Sequence, residues 1–311
     1  MLTVEGLLQS AKTRLASQTD LTFYEPALES RILFEHVSGK SHAWMIANNS
    51  HVLSAQLITD FENVLALRLA GKPIAYIIGK QDFWTLQLEV NESTLIPRQD
   101  TECLVETVLS FGIGETANVL DLGTGTGAIA LALASEKPNW NIIGVDRIED
   151  AVMLAKRNKA RNAEHSLAQK AGQQASIGTS SETEKYRKPF ENVRFLQSNW
   201  YEALHSKYKH YFDVIVSNPP YVEPDSEYLS RGDLRFEPNS ALSAGENGFA
   251  DLKHIITKAP NYLSANGLVA LEHGANQHQA LAKHLGDAGF VQIAAKTDYN
   301  GMHRVTTAQL P

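Results

Sequence analysis

Apolar positions along this chain keep two different periods, and the change comes near residue 76. Before it, Val4, Leu7, Leu8, Ala11 and Leu15 fall three and four residues apart, the spacing of one helix face. Leu28, Ile32 and Leu33 mark a second helix over 27–37, with Gly39 as its stop. Trp44, Met45 and Ile46 mark a short third piece. Leu57, Phe61, Val64 and Leu65 mark a longer helix closed by Gly71 and Pro73. The pattern predicts a small helical bundle over 1–75 that packs on itself, and no motif within it carries chemistry. Over 76–97, Phe83, Trp84, Leu86, Leu88 and Val90 suggest strands, with Asn91-Glu92-Ser93 as the turn of a β-hairpin linker.

From 98 to 311 short apolar runs alternate with helical stretches. Strands are expected at 119–122, 141–146, 193–197, 212–216, 268–271, 291–296 and 305–309. Helices are expected at 102–109, with Thr101 as candidate N-cap, and at 128–134, 149–162, 252–263 and 277–288. Runs that are apolar on successive residues suit strands covered on both faces, so an open α/β sheet is predicted. Asn300-Gly301 is the turn between the last two strands. Ser, Gln, Glu, Lys and Thr dominate a flexible insertion at about 163–190.

One stretch organises the rest. The run Phe212-Asp213-Val214-Ile215-Val216 leads into Ser217-Asn218-Pro219-Pro220-Tyr221. Two prolines cannot donate to a ladder, so the strand must end in a stiff corner. Ligands of open α/β sheets bind at such carboxyl ends. The corner suits capture of a planar NH2 group. Asn218 offers its side-chain oxygen to one N–H, the Pro219 carbonyl can accept the other, and Tyr221 offers an aromatic face. A conjugated NH2 is a poor nucleophile, and two acceptors would aim it and stabilise the positive charge it gains on attack. An Asn-Pro turn that merely ends a strand would need no aromatic in the same line.

The strand at 119–122 runs into Gly123-Thr124-Gly125-Thr126-Gly127 and then a helix, a nucleotide-binding arrangement. No Lys follows the loop as in a P-loop, which argues against a nucleoside triphosphate. Asp121 would repel a pyrophosphate but suits a ligand with a cationic amino acid portion, such as S-adenosylmethionine. Asp146 ends the next strand, where an acidic side chain can meet ribose hydroxyls or cap a helix. Ser198-Asn199-Trp200 follows the third strand; Trp200 could stack on an adenine and Asn199 could meet its edge. Arg98 is a candidate anion contact, and Arg235-Phe236-Glu237-Pro238 lies in a polar loop of the kind that covers sites.

The formal net charge of −7 argues against direct nucleic-acid binding, which wants basic patches. One cysteine, Cys103, excludes a disulfide framework and a cysteine zinc site, and His273, His278 and His284 match no helical metal pair, so no metal is expected. The start has no basic segment ahead of an apolar one, and no apolar run reaches the length of a membrane span, so a cytoplasmic protein with no membrane partner is expected.

Four segments together, Ile96-Pro97-Arg98-Gln99-Asp100-Thr101-Glu102, Asp121-Leu122-Gly123-Thr124-Gly125-Thr126-Gly127, Asn218-Pro219-Pro220-Tyr221 and Arg235-Phe236-Glu237-Pro238, closely resemble the bacterial release factor glutamine methyltransferases. The resemblance covers nearly the whole chain. It implies a seven-stranded Rossmann-like S-adenosylmethionine-dependent methyltransferase domain over 98–311, behind the helical bundle and the hairpin. It implies transfer of a methyl to the side-chain amide nitrogen of the glutamine in the Gly-Gly-Gln motif of class one peptide chain release factors, leaving S-adenosylhomocysteine, with no metal. The helical bundle would serve substrate recognition, and a monomer is expected. By motif position, Asp121, Gly123, Thr124, Gly125, Thr126, Gly127, Asp146, Trp200 and Asn218 would meet the cofactor. Asn218, Pro219, Pro220 and Tyr221 would meet the glutamine, with Asn218, Pro219 and Tyr221 catalytic. The chain departs from the family pattern at Gln99, where Pro is frequent, and at Asn199, where an acidic residue is frequent. A ribosomal-protein glutamine methyltransferase shares the corner, as do adenine-N6 nucleic-acid methyltransferases. The acidic balance and the lack of a basic, aromatic-rich segment oppose the latter.

Overall fold

The structure, a computed structural model, describes residues 1–18, 25–177 and 188–311. Its contacts divide the chain into two compact units, and the first is Met1–Lys80 together with Ser226–Glu237. The helices of that unit are Val4–Ala16, Pro26–Ser38, His42–Ala47, Ala55–Leu69 and Ile74–Ile78. Thr3, Ser41 and Ser54 cap three of them by accepting from backbone N–H groups in the first turn, and Gly39 ends the second in the left-handed conformation. Leu7, Leu15, Leu33, Phe34, Phe61 and Leu65 are fully buried; on the second helix the buried face is Glu29, Ser30, Leu33 and Phe34, and Leu28, expected on the apolar side, is 43% exposed.

One charged side chain lies at the heart of this unit. Arg68 is 1% exposed. It donates to both oxygens of Glu29, each at 2.9 Å, and to Asp233 Oδ1 at 2.8 Å. Asp233 belongs to the segment Ser226–Glu237, which sequence placed wholly in the 98–311 domain and which here groups with the helices. Arg235 adds a bond to the Ala70 carbonyl at 3.2 Å.

The second unit is Gln81–Asp225 with Pro238–Pro311. Strands β1 (Lys80–Phe83) and β2 (Leu86–Glu89) form the hairpin, and it turns at Trp84-Thr85 rather than at the expected Asn91-Glu92-Ser93. Trp84 takes a positive φ there, held by its N–H bonded to Glu102 at 2.8 Å and its indole bonded to Glu136 at 2.7 Å. Asn91 instead makes a local turn, accepting from the N–H of Ser93.

Seven further strands form one sheet: β3 (Asn118–Leu122), β4 (Asn141–Asp146), β5 (Val193–Gln197), β6 (Phe212–Ser217), β7 (Leu263–Glu272), β8 (Val291–Thr297) and β9 (His303–Gln309). Their order is β5-β4-β3-β6-β7-β9-β8, parallel except for β9. Val119 lies level with Ile142 and Val214 on one face, and Leu120 with Ile143 and Ile215 on the other. Both faces of the central strands are buried, which is why β3, β4, β6 and the end of β7 read as nearly continuous apolar runs, whereas the edge strand β8 is largely exposed. The order reverses between β3 and β6, so the crevice at their carboxyl ends is the binding position this topology provides.

Three expectations are corrected. The helix expected to end at Asn162 continues as Glu149–Ile177, through the first part of the polar insertion; 178–187 lie outside the described residues. The helix expected over 102–109 is Gln99–Ser110, so Thr101 lies inside its first turn and is buried, not an N-cap. The helix expected to run to 263 stops at Lys258, and β7 begins at Leu263 with Asn266-Gly267 inside it. Among the described residues, no helix is long and apolar enough to cross a membrane.

Candidate functional site

The carboxyl ends of β3, β4, β5 and β6 open onto one cleft. Of the residues singled out in sequence, Gly123, Thr124, Gly125, Thr126, Asp146, Trp200, Asn218 and Pro220 line it. Asp121, Gly127, Pro219 and Tyr221 are not among the lining residues, though Pro219 and Tyr221 adjoin Asn218 and Pro220, which are.

The loop after β3 is shaped by its glycines. Gly123 and Gly125 hold φ of +72° and +52°, a region costly for other residues. The N–H groups of Gly123 and Thr124 both bond the Val145 carbonyl at 2.9 Å, which folds the loop over β4. Asp121 is completely buried beneath it and accepts from the Thr124 hydroxyl at 2.6 Å. Burial pushes its carboxyl up to about 7, against the opposing pull of Thr124 and the Ala130 backbone. Its Oδ1 has no hydrogen-bond partner among the described residues. Asn158, from the long helix, reaches the loop from the far side, donating to the Thr126 carbonyl and to the Glu89 carbonyl of β2, each at 3.0 Å.

Gly144 on β4 lets this loop lie close. A β-carbon there would stand 2.6 Å from Thr124 Oγ1 and 2.7 Å from two ring atoms of Phe195. Gly144→Ala is therefore expected to destabilise the protein by about 1–3 kcal/mol, the range for overpacking a filled core, and to lower its thermal midpoint. A wild-type midpoint in that variant would contradict this account of the loop.

Asp146 closes β4 and turns both carboxylate oxygens onto backbone. Oδ2 accepts from Gly125 at 2.9 Å and Oδ1 from Ile148 at 3.0 Å. Burial raises its carboxyl and these bonds lower it. Trp200 has a positive φ of 51°. Ser198 holds that bend by donating to the Trp200 carbonyl at 2.8 Å. The indole packs beside Gly123 and bonds Asp251. Asn199 also lines the cleft, with its amide donating to Glu202 at 2.8 Å.

At the corner, Asn218 donates from Nδ2 to Thr101 Oγ1 at 3.1 Å. No described group donates to the Pro219 carbonyl. The Tyr221 ring packs against the apolar cluster on the Leu120 face of the sheet and is not among the residues that line the cleft, and its hydroxyl donates to Glu272 Oε1 at 3.2 Å. Gln277 ties the Tyr221 carbonyl at 3.1 Å. Sequence reasoning missed Thr101, Glu272 and Asn158. Thr101 lies inside the segment Ile96–Glu102, but its place ahead of the expected helix 102–109 assigns its hydroxyl to capping. Nothing local marks Glu272 or Asn158, because their partners lie far along the chain. Arg98 does not line the cleft, and among the described residues no cluster of His, Cys, Asp and Glu is set to hold a metal.

The arrangement is that of a ligand cleft over a glycine loop with the Asn218 amide at its edge, and related sequences match the chain over nearly its whole length. Residues 6–79 match the family described as PrmC N-terminal domain, and residues 113–172 match a methyltransferase domain. A release factor glutamine methyltransferase of Aliivibrio fischeri is 40% identical over 308 residues, 99% of this chain and 98% of that protein. One of Vibrio cholerae is 41% identical, covering 99% of this chain and 97% of its own. One of Escherichia coli is 41% identical over 90% of this chain and 91% of its own. On that identity over both chains, the protein belongs to the release factor glutamine methyltransferase family.

Proposed function

We propose that this protein methylates the side-chain amide nitrogen of the glutamine in the Gly-Gly-Gln motif of class one peptide chain release factors, using S-adenosylmethionine and releasing S-adenosylhomocysteine. The relatives' names supply the substrate. The observation that carries the chemistry is the Asn218 amide: its Nδ2 is spent on Thr101, which leaves Oδ1 as the acceptor at the cleft.

The residues present fit such a cofactor. Backbone without side chains at Gly123 and Gly125 lets a ligand approach the loop closely. The unpaired Oδ1 of Asp121 leaves an acceptor beneath the loop, and a cationic amino acid portion nearby would favour its charged form. Each Asp146 oxygen has a lone pair left for a ribose hydroxyl, and Trp200, which lines the same cleft, would offer its ring to an adenine. When bound, the cofactor supplies a methyl already activated by its sulfonium charge.

The protein's own task is aim. Asn218 Oδ1 and the Pro219 carbonyl each take one amide N–H, which orients the nitrogen and stabilises the charge it gains. Pro220 stiffens the corner, and Tyr221 props it through its hydroxyl and its backbone.

Labelled S-adenosylmethionine offered with a class one release factor, a ribosomal protein and duplex DNA tests the assignment. Label is expected on the release factor. Label confined to the ribosomal protein or to DNA would overturn it.

A further inference from the structure

Asn218 can serve as an acceptor only if its amide stands one way round, and an amide has no intrinsic preference between its two ends. Turned over, it would present an NH2 to the substrate's NH2. What sets its sense lies behind it. Thr101 Oγ1 meets Asn218 Nδ2 at 3.1 Å. A hydroxyl has one proton and two lone pairs, so it can accept from Asn218 only while its proton points elsewhere. The carboxyl of Glu272, at the end of β7, faces that hydroxyl. Glu272 is 1% exposed; its Oε1 already accepts from Tyr221 at 3.2 Å, and its Oε2 is buried with no well-formed bond of its own. An orphan acceptor beside a hydroxyl with a proton to give is a pair waiting to form.

We propose that Glu272 and Thr101 are positioning residues that fix the sense of the Asn218 amide: the Glu272 carboxylate accepts a hydrogen bond from the Thr101 hydroxyl, so Thr101 can only accept from Asn218, and Asn218 Oδ1 is left toward the cleft. This rests on the reading of Asn218 given above and extends it to two residues that do not touch the nitrogen. The same carboxylate accepts from the Tyr221 hydroxyl, so one buried carboxylate orients both ends of the corner. It also explains why an ionisable group stands directly after the apolar run Leu268-Val269-Ala270-Leu271.

The chain of donors reverses when Glu272 gains a proton. Its O–H then donates to Thr101, the Thr101 proton turns toward Asn218, and the amide flips. Burial is the largest influence on Glu272 and pushes it up to about 7. The groups facing it are the Thr101 and Tyr221 hydroxyls and Arg304 on β9, which favour the charged form, and Asp100 on the helix Gln99–Ser110, which opposes it. Cys103 on that helix also feels the charge of Glu272. Arg304 is itself paired with Asp100 at 3.3 Å and with Asp298 at 3.1 Å, so it does not neutralise Glu272 alone. The active form is therefore the one above about pH 7, and kcat should fall as the pH drops through that value.

The test uses the full-length enzyme, a class one release factor and labelled S-adenosylmethionine. Thr101→Val removes the acceptor at constant shape and is expected to lower kcat about 10- to 100-fold, the scale of a misaimed reacting group, with cofactor Kd and thermal midpoint near wild type. Thr101→Ser restores the hydroxyl and should recover most of that loss, which a packing role for the Thr101 methyl would not predict. Glu272→Gln holds the protonated pattern at every pH, so it should show low kcat and lose the acid limb that the wild type shows. If Thr101→Val fails to fold, the Ser variant and the Gln variant still decide the matter. Wild-type kcat in Thr101→Val, or an unchanged acid limb in Glu272→Gln, would overturn the proposal. A wild-type enzyme that leaves the release factor unlabelled would instead strike at the substrate assignment.

Discussion

Asn218→Ala is expected to lower methyl transfer to the release factor by about 100- to 1000-fold, the loss seen when one preorganised hydrogen-bonding group is removed from a reacting centre. Cofactor affinity should weaken but remain measurable, because the glycine loop, Asp146 and Trp200 line the cleft independently of Asn218. The substitution also leaves Thr101 without its donor, but Thr101 still has Glu272 to donate to. The effect should therefore appear in kcat at saturating cofactor. Single-turnover transfer together with a direct cofactor titration separates the two quantities. Full activity in that variant would remove Asn218 from its assigned role.

Arg68→Met is expected to destabilise the helical unit by about 3–5 kcal/mol, the range for breaking a buried ion pair from one side. Arg68 binds Glu29 through two parallel bonds of 2.9 Å, and Glu29 is itself buried. Removing the guanidinium leaves a carboxylate out of water with no counter-charge, and it frees Asp233 in the segment Ser226–Glu237. Denaturant unfolding of the full chain measures the loss. The double variant Arg68→Met/Glu29→Gln should recover a good part of it, because the uncompensated charge is gone. A double variant no more stable than the single would mean that packing of the Arg68 stem, not the charge pair, holds the unit.

Much of the fold was legible because its central strands are covered on both faces. Runs such as Val119-Leu120-Asp121-Leu122 and Leu268-Val269-Ala270-Leu271 have no polar side to hide, so they announce themselves as buried strands. The corner was legible for a different reason: two prolines after an apolar run leave few conformations open. What escaped depends on partners distant in sequence. Thr101 and Asn218 are 117 residues apart, and Tyr221 and Glu272 are 51 apart, so no local pattern records either bond. The grouping of Ser226–Glu237 with the helices turns on Arg68 and Asp233, which are 165 residues apart. The Tyr221 ring was read as a free face because its strand-end position permits that; the buried Glu272 carboxyl draws its hydroxyl inward instead. The extra length of the helix Glu149–Ile177 was hidden by composition: beyond Asn162 it has few apolar residues to show a stripe, though its Ala, Gln and Lys are good helix formers.

The most direct measurement is a crystal structure of the enzyme with S-adenosylhomocysteine and a peptide carrying Gly-Gly-Gln. The glutamine side-chain nitrogen should lie within hydrogen-bond distance, about 2.7–3.2 Å, of both Asn218 Oδ1 and the Pro219 carbonyl, with its open side toward the cofactor sulfur. A glutamine bound with its oxygen at Asn218, or a corner turned away from that sulfur, would contradict the account.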